Sequence, residues 1–448
     1  MKKWVVLGLI AMLLATAGIG FWRWRAAMAP VTRTEYAARL HEHILSAQRD
    51  RWPDATDQWD DLAWELANVR DARGAMGDNA EILRSFDIGN SRTDNLSALE
   101  SAVHEARSYG LFESAKRIAD IKIAVRPYNE LGPEDVLVGV MFDELSEVRF
   151  LTRAQIARAY IASRNDAKAT NEVYAALDES LTLARLLSWQ ASTLEYLNAR
   201  IVGVDMLGGL RAILSIEPVR DDALLRAIDE RIERFHGRFA PASHVIQGDR
   251  LTTLDSQHRM HTVGGYLDRR GSHEWDGVMN SLGFDGTLYR GPLKDSLGWL
   301  DRFVEAAGTS ARARGLEILE ADAALESVHS AFIDLGDGPG ERWPALMITL
   351  GEYSQPIAWE RHMRIIAAGT RVSIAIERHR LAHGTLPESL DQLGDLLPED
   401  HTVDPVTEQP WAYERTSDGY TLSSRALPSY EAGEDASEDP LAGIQIVP

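Results

Sequence analysis

Apolar residues recur at three- and four-residue intervals along most of this chain, the spacing of one face of an α-helix. Tyr36, Leu40 and Ile44 fall on one such face, and Trp59, Leu62, Leu66 and Val69 on the next, with Pro53 between them. The stretch 152–189 predicts a helical hairpin. Ile156, Tyr160 and Ile161 form the outgoing stripe, Ser163 to Asp166 the turn, and Val173, Tyr174, Leu177, Leu181 and Leu187 the returning stripe. A looser hairpin is predicted over 104–121, and further helices over 190–215 and 221–236. The last of these opens at Asp221 and Asp222 after Pro218, as a helix start should. Between Phe239 and Gly298 the period fades and Gly, His and Asp accumulate. That reads as a long irregular segment, a place where function concentrates.

The pattern sharpens again near the C-terminus. Trp359, Met363, Ile366, Val372 and Ile376 mark one long helix over 357–384. Gly384 supplies a left-handed cap and Pro387 prevents continuation. A short helix follows, with Leu390 and Leu393 facing inward. Asp404-Pro405 begins a turn, and Trp411 to Arg415 and Tyr420 to Ser424 alternate as two strands around Ser417-Asp418-Gly419. The predicted fold is therefore mainly α. An N-terminal transmembrane anchor (1–30) precedes a helical-hairpin body (31–333, irregular over 239–298). A linker (334–355), a small α+β module of long helix plus antiparallel hairpin (356–426) and an acidic tail (427–448) follow.

The anchor rests on the run from Trp4 to Trp22, 19 residues without a charge. At 1.5 Å per residue this spans about 28 Å, close to the hydrocarbon thickness of a bilayer. Trp4, Trp22 and Trp24 stand where interfacial aromatics belong, and Lys2, Lys3, Arg23 and Arg25 flank the run. A short N-terminal tail before a long C-terminal domain favours a single-pass signal anchor in a bacterial cytoplasmic membrane, with the domain facing the periplasm or exterior. The alternative is a cleaved signal peptide, with small-x-small sites at Ala15-Thr16-Ala17 and Ala27-Met28-Ala29.

Composition narrows the chemistry. The 448 residues carry a net charge of −21, which opposes general nucleic-acid binding because that requires a basic surface. The chain has no cysteine, so disulfides, thiolate metal sites and a cysteine nucleophile are excluded. His258, His261, His273 and Glu274, with Asp255 nearby, are residue types that ligate zinc or another divalent metal, but they lack an HExxH pattern. His379 and His383, at i and i+4 beside Glu377, have metal-compatible spacing; their place in the last helical turn fits capping better. "DLGDGPGE" (334–341) lacks both the calcium-loop and the phosphate-loop spacing and reads as linker. Glu431, Glu434, Asp435, Glu438 and Asp439 in the tail could attract calcium. No GxSxG elbow or GxGxxG fingerprint occurs.

Three resemblances follow from these residues. The 152–189 hairpin resembles a tetratricopeptide-type helix pair, though no 34-residue repeat continues it. The end of the chain resembles the globular domain of type II secretion major pseudopilins through Arg380, Gly384, Pro387, Leu390, Leu393, Asp404, Pro405, Pro410, Tyr413, Gly419, Tyr420, Leu422 and Ser424. His379 and Leu386 replace aromatics of that family, and its Gly-Phe processing site before the apolar helix is absent. That resemblance implies a helix laid on a small sheet, and calcium binding by the acidic residues that follow. The whole layout is similar to planctomycete-type membrane-anchored envelope proteins. Together these readings favour a non-enzymatic envelope protein with a protein partner and a scaffold role. The alternatives are a metal-dependent envelope hydrolase centred on 255–275 and an accessory component of a secretion system.

Overall fold

Helix follows helix where the apolar spacing predicts it. The computed structural model describes residues 34–86, 96–131, 137, 144–165, 169–216, 221–261, 293–333, 353–397, 401–416 and 419–425. The helices are α1 (Thr34–Arg49), α2 (Trp59–Ala75), α3 (Asp78–Arg84), α4 (Leu96–Ser108), α5 (Leu111–Asp120), α6 (Leu145–Asn165), α7 (Ala169–Ser188), α8 (Thr193–Ile216), α9 (Asp222–His236), α10 (Ala242–His261), α11 (Leu293–Arg312), α12 (Glu317–Ile333) and α13 (Ser354–His383). Two antiparallel strands follow, β1 (Ala412–Arg415) and β2 (Tyr420–Ser423), in the register Tyr413 opposite Leu422. Among the described residues no helix is long and apolar enough to cross a membrane. The Trp4–Trp22 run and the 427–448 tail lie outside the described residues, as does nearly all of the 334–355 linker.

The central layer is α6, α7 and α8, each packed on the other two. Leu151, Ala154, Leu177, Leu181, Leu187, Val202 and Leu210 are among the residues buried there. Helix α13 lies along α8 and shares this core through Met363, Ile366 and Ile374. Close approach depends on Gly203, where a Cβ would stand 2.6 Å from Met363 Cε. A second core joins α1, α10 and α11 through Leu40, Ile44, Ile246, Leu254, Leu300 and Phe303. A third joins the other face of α13 (Ile365, Val372, Ile376) to Ile318 of α12 and to Trp411, Tyr420 and Leu422 of the hairpin region.

The C-terminal segment 356–426 is consequently fused to the body. Arg361 of α13 donates to Asp322 of α12 at 2.6 and 3.0 Å, and Arg371 and Arg378 donate to Asp229 and Asp222 of α9 at 2.7 Å each. The Asp404 turn docks on the α11–α12 link, where Gly315 N–H donates to the Val406 carbonyl at 2.9 Å. Helix α13 ends as expected: Gly384 has φ 75° and its N–H donates to Arg380 O. The 239–298 segment differs from the sequence expectation. Residues 242–261 and 293–298 are helical, because Val245, Ile246, Leu251 and Leu254 bury one face while His244, Asp255 and Gln257 are buried on others. That mixed lining hides the period.

One extended stretch runs through this helical frame. Ile121, Ile123, Ala124 and Val125 are buried, with no neighbouring sheet to satisfy their backbone. Side chains and one backbone group do so instead. Gln48 of α1 donates to the Ala124 carbonyl (3.1 Å) and accepts from its N–H (3.2 Å). Gln190 donates to the same carbonyl and accepts from Arg126 N–H. Arg185 donates to the Ile121 and Lys122 carbonyls, Asp57 accepts from Val125 N–H, and Gln58 N–H donates to Ile123 O.

Candidate functional site

Of the metal candidates named from the sequence around 255–275, the side chains of Asp255 and His258 are described. Among the described residues no group of three or more His, Asp or Glu side chains could hold a metal ion. Asp255 is buried and accepts from Leu137 N–H at 3.4 Å, and the His258 ring packs on Tyr36 with centroids 5.4 Å apart. His261 ends α10, with its side chain outside the described residues. His273, Glu274, Glu431, Glu434, Asp435, Glu438 and Asp439 also lie outside them. His379 and His383 stack with centroids 4.2 Å apart. Their ring nitrogens lie 3.2 Å from Thr385 O and 3.1 Å from His379 O, so both close the end of α13.

The four-residue link between α7 and α8 carries chemistry that sequence spacing does not reveal. On one side lies an open depression of about 780 Å³, lined by His43, Arg51, Trp189, His244, Arg250 and Asp301 among others. His43 and His244 stack there with centroids 4.4 Å apart and planes 17° from parallel. Each ring has one nitrogen at a backbone carbonyl, His43 at His244 O and His244 at Trp189 O. Near-parallel stacked rings share no in-plane point, so the pair cannot chelate one ion. Burial, and the neighbouring His43, hold the His244 imidazole neutral, down to about 3 from 6.5.

On the other side of the link, Glu195 stands in the first turn of α8, 1% exposed, with neither carboxylate oxygen hydrogen-bonded. Burial pushes it from 4.5 up to about 7, against the pull of Arg126. Tyr128 is buried near the same carboxylate. Asp249 of α10 caps the start of α8 by accepting from the Thr193 hydroxyl and N–H. This capping brings α10 onto the link so closely that a Cβ at Gly248 would overlap Ala191 Cβ and its carbonyl. The cluster is enclosed polar structure whose protonation responds to pH.

An outer groove of about 560 Å³ runs between α2 and α5. Glu65 and Arg117 pair across one end, Arg117 Nη2 donating at 2.8 Å, while Ala75 and Tyr109 line the other. Trp64, Asn68, Asp71 and Ala75 repeat at helical spacing along α2. From Asn68 to Ala75 the groove edge is about 10 Å long, and Trp64 stands one helical turn before it on the same stripe of α2. Trp64 is 66% exposed and Tyr109 48%, two of the few large hydrophobic side chains the described surface leaves in water. Asp71 and Glu113 line the groove and form no ion pair with any described residue. Trp64 lies off the Leu62, Leu66 and Val69 stripe that α2 buries, and nothing in the sequence pattern singled it out. No protein-family model, curated protein or solved structure matches the chain.

Proposed function

We propose that the protein is a membrane-tethered helical scaffold that holds a basic segment of a partner protein in the groove between α2 and α5. The observation that carries this reading is a groove lined by the exposed Tyr109 and by Asp71 and Glu113, neither ion-paired among the described residues, with the exposed Trp64 one helical turn beyond Asn68 on the same stripe of α2. Exposed aromatics of this kind are the anchors of protein interfaces. A Lys or Arg side chain satisfies both features, pairing with Asp71 or Glu113 and lying over an aromatic face. Arg117 does not oppose such a partner, because Glu65 already neutralises it. The uncharged Trp4–Trp22 run supports tethering in a bacterial cytoplasmic membrane with the body outside. The resemblances to tetratricopeptide hairpins and to the pseudopilin end support a role in assembly.

A synthetic peptide of alternating Arg and Leu, titrated calorimetrically into the full-length protein in detergent, tests the docking half. Saturable binding is expected, weakened about tenfold or more by Trp64→Ala and by the Asp71→Asn, Glu113→Gln pair. A matched Glu-Leu peptide is expected not to bind. Equal affinity for the variants would show that the overall charge of −21, and not the groove, attracts the peptide. Tethering is tested by alkaline extraction of membranes: the full chain should resist it and a chain lacking residues 1–30 should not.

A further inference from the structure

Among the described residues, buried arginines meet a carboxylate, two carbonyls or aromatic faces, although Arg200 and Arg361 also leave Nε unbonded; Arg211 meets none of these. Arg361 meets Asp322, Arg371 meets Asp229, Arg185 caps two carbonyls, and Arg200 lies between the Tyr196 and Phe239 rings and donates to Ala240 O. Arg211, on α8, is 8% exposed and has no carboxylate. Its Nη1 donates to the Thr370 hydroxyl at 2.7 Å. Its Nε is enclosed and makes no hydrogen bond, and Nη2 makes none either. The unused edge is therefore the Nε–Nη2 edge, the fork that matches two oxygens of one anion.

Two neutral hydroxyl groups stand near this guanidinium. Ser373 lies one helical turn beyond Thr370 on α13, and the Tyr420 hydroxyl of β2 sits beside Ser373. Neither hydroxyl has a partner outside this pair. Burial holds the Tyr420 phenol well above its ordinary range, so it is a proton donor at neutral pH. Gly208 leaves space beside the guanidinium, since a Cβ there would stand 3.8 Å from Nη2. Burial lowers Arg211 to about 10, so it remains a cation at pH 7. A buried cation without a carboxylate costs several kcal/mol; with the Tyr420 and Ser373 hydroxyls and the neutral-leaning His362 imidazole as its polar neighbours, it matches a missing anion.

We propose that Arg211, Ser373 and Tyr420 form a binding site for a small oxyanion, a carboxylate or phosphate group seated on the Nε–Nη2 edge at the seam of α8, α13 and β2, with Thr370, whose hydroxyl donates to Ile366 O, holding Nη1 on the far side. The site lies away from the α2–α5 groove and stands independently of the docking reading.

The test is thermal unfolding and calorimetric titration of the full-length protein in detergent with inorganic phosphate and with acetate, against chloride at matched ionic strength. The expected result is a saturable rise in Tm with one or both anions, as for any ligand that binds only the folded state. Arg211→Met should fold, because it replaces a lone buried charge with an apolar chain of similar length, and should lose the response. Ser373→Ala and Tyr420→Phe keep the guanidinium and should each weaken binding about threefold to tenfold. If Arg211→Met does not fold, these two variants decide. No saturable response of the wild-type protein to either anion overturns the proposal. So does a response that survives Arg211→Met, or affinities unchanged in both hydroxyl variants.

Discussion

Replacing Glu195 by Gln should stabilise the protein at pH 8 and leave it nearly unchanged at pH 4.5. In the unfolded chain this carboxyl loses its proton around 4.5, whereas in the folded chain burial keeps the proton until about 7. Between those values folding takes up a proton, so stability falls as pH rises and levels off once both forms are ionised. The interval is 7 minus 4.5, and each pH unit is worth about 1.4 kcal/mol, giving about 3 kcal/mol at pH 8. Three effects oppose this penalty: the N-terminal turn of α8 favours negative charge, Arg126 attracts it, and the Ser192 hydroxyl supports it. Burial of both oxygens outweighs them. Gln has the same shape and never ionises, so its variant lacks the penalty. Urea midpoints followed by circular dichroism at pH 4.5, 6 and 8 measure it. The two proteins should diverge steadily over that range. Parallel pH profiles would refute the argument, because they would place the folded carboxyl at its ordinary value.

Two other substitutions test neighbouring features. His244 is held neutral to about 3 while the unfolded imidazole protonates at 6.5, so its contribution is present above 6.5 and lost as pH falls. His244→Phe should remove about 3 kcal/mol of the acid sensitivity at pH 4, read as a flatter pH–Tm curve on the acid side. Gly248→Ala forces a Cβ into the Ala191 backbone and should cost about 1–3 kcal/mol, or prevent folding, as judged by urea unfolding. A midpoint equal to that of the wild type would show that α10 shifts freely away from the α7–α8 link.

The helical frame was legible because its determinants are local. Ile156 to Leu187 gave a hairpin, and Gly384 with Pro387 gave a helix end, since spacing and backbone preference act within a few residues. Helix α10 was hidden because Asp255, Gln257 and His244 interrupt its apolar face. Those groups are paired by residues distant in sequence, such as Leu137, Ser296 and Trp189. The fusion of 356–426 to the body was hidden for the same reason, since the Arg361–Asp322 and Arg371–Asp229 pairs have no sequence signature. The candidate sites lie further from sequence still. The exposure of Trp64 depends on which side of α2 meets α5 and α6. The isolation of Arg211 is a property of everything that surrounds it. The histidine clusters drew attention by residue type, and the described ones proved to be packed against neighbouring rings or backbone carbonyls.

The extended stretch 121–127 also determines how this molecule carries tension. A pull on Thr34 acts along α1, whose last turns grip the stretch through the two Gln48–Ala124 hydrogen bonds and the His41 contact with Arg126 O. Gln190 and Arg185, at the end of α7, hold the same stretch from the other side. These bonds lie side by side across a short span, so they must break together, each adding about 1 kcal/mol to the resistance. A load applied at Thr34 therefore passes through the 121–127 stretch into the α6–α8 layer.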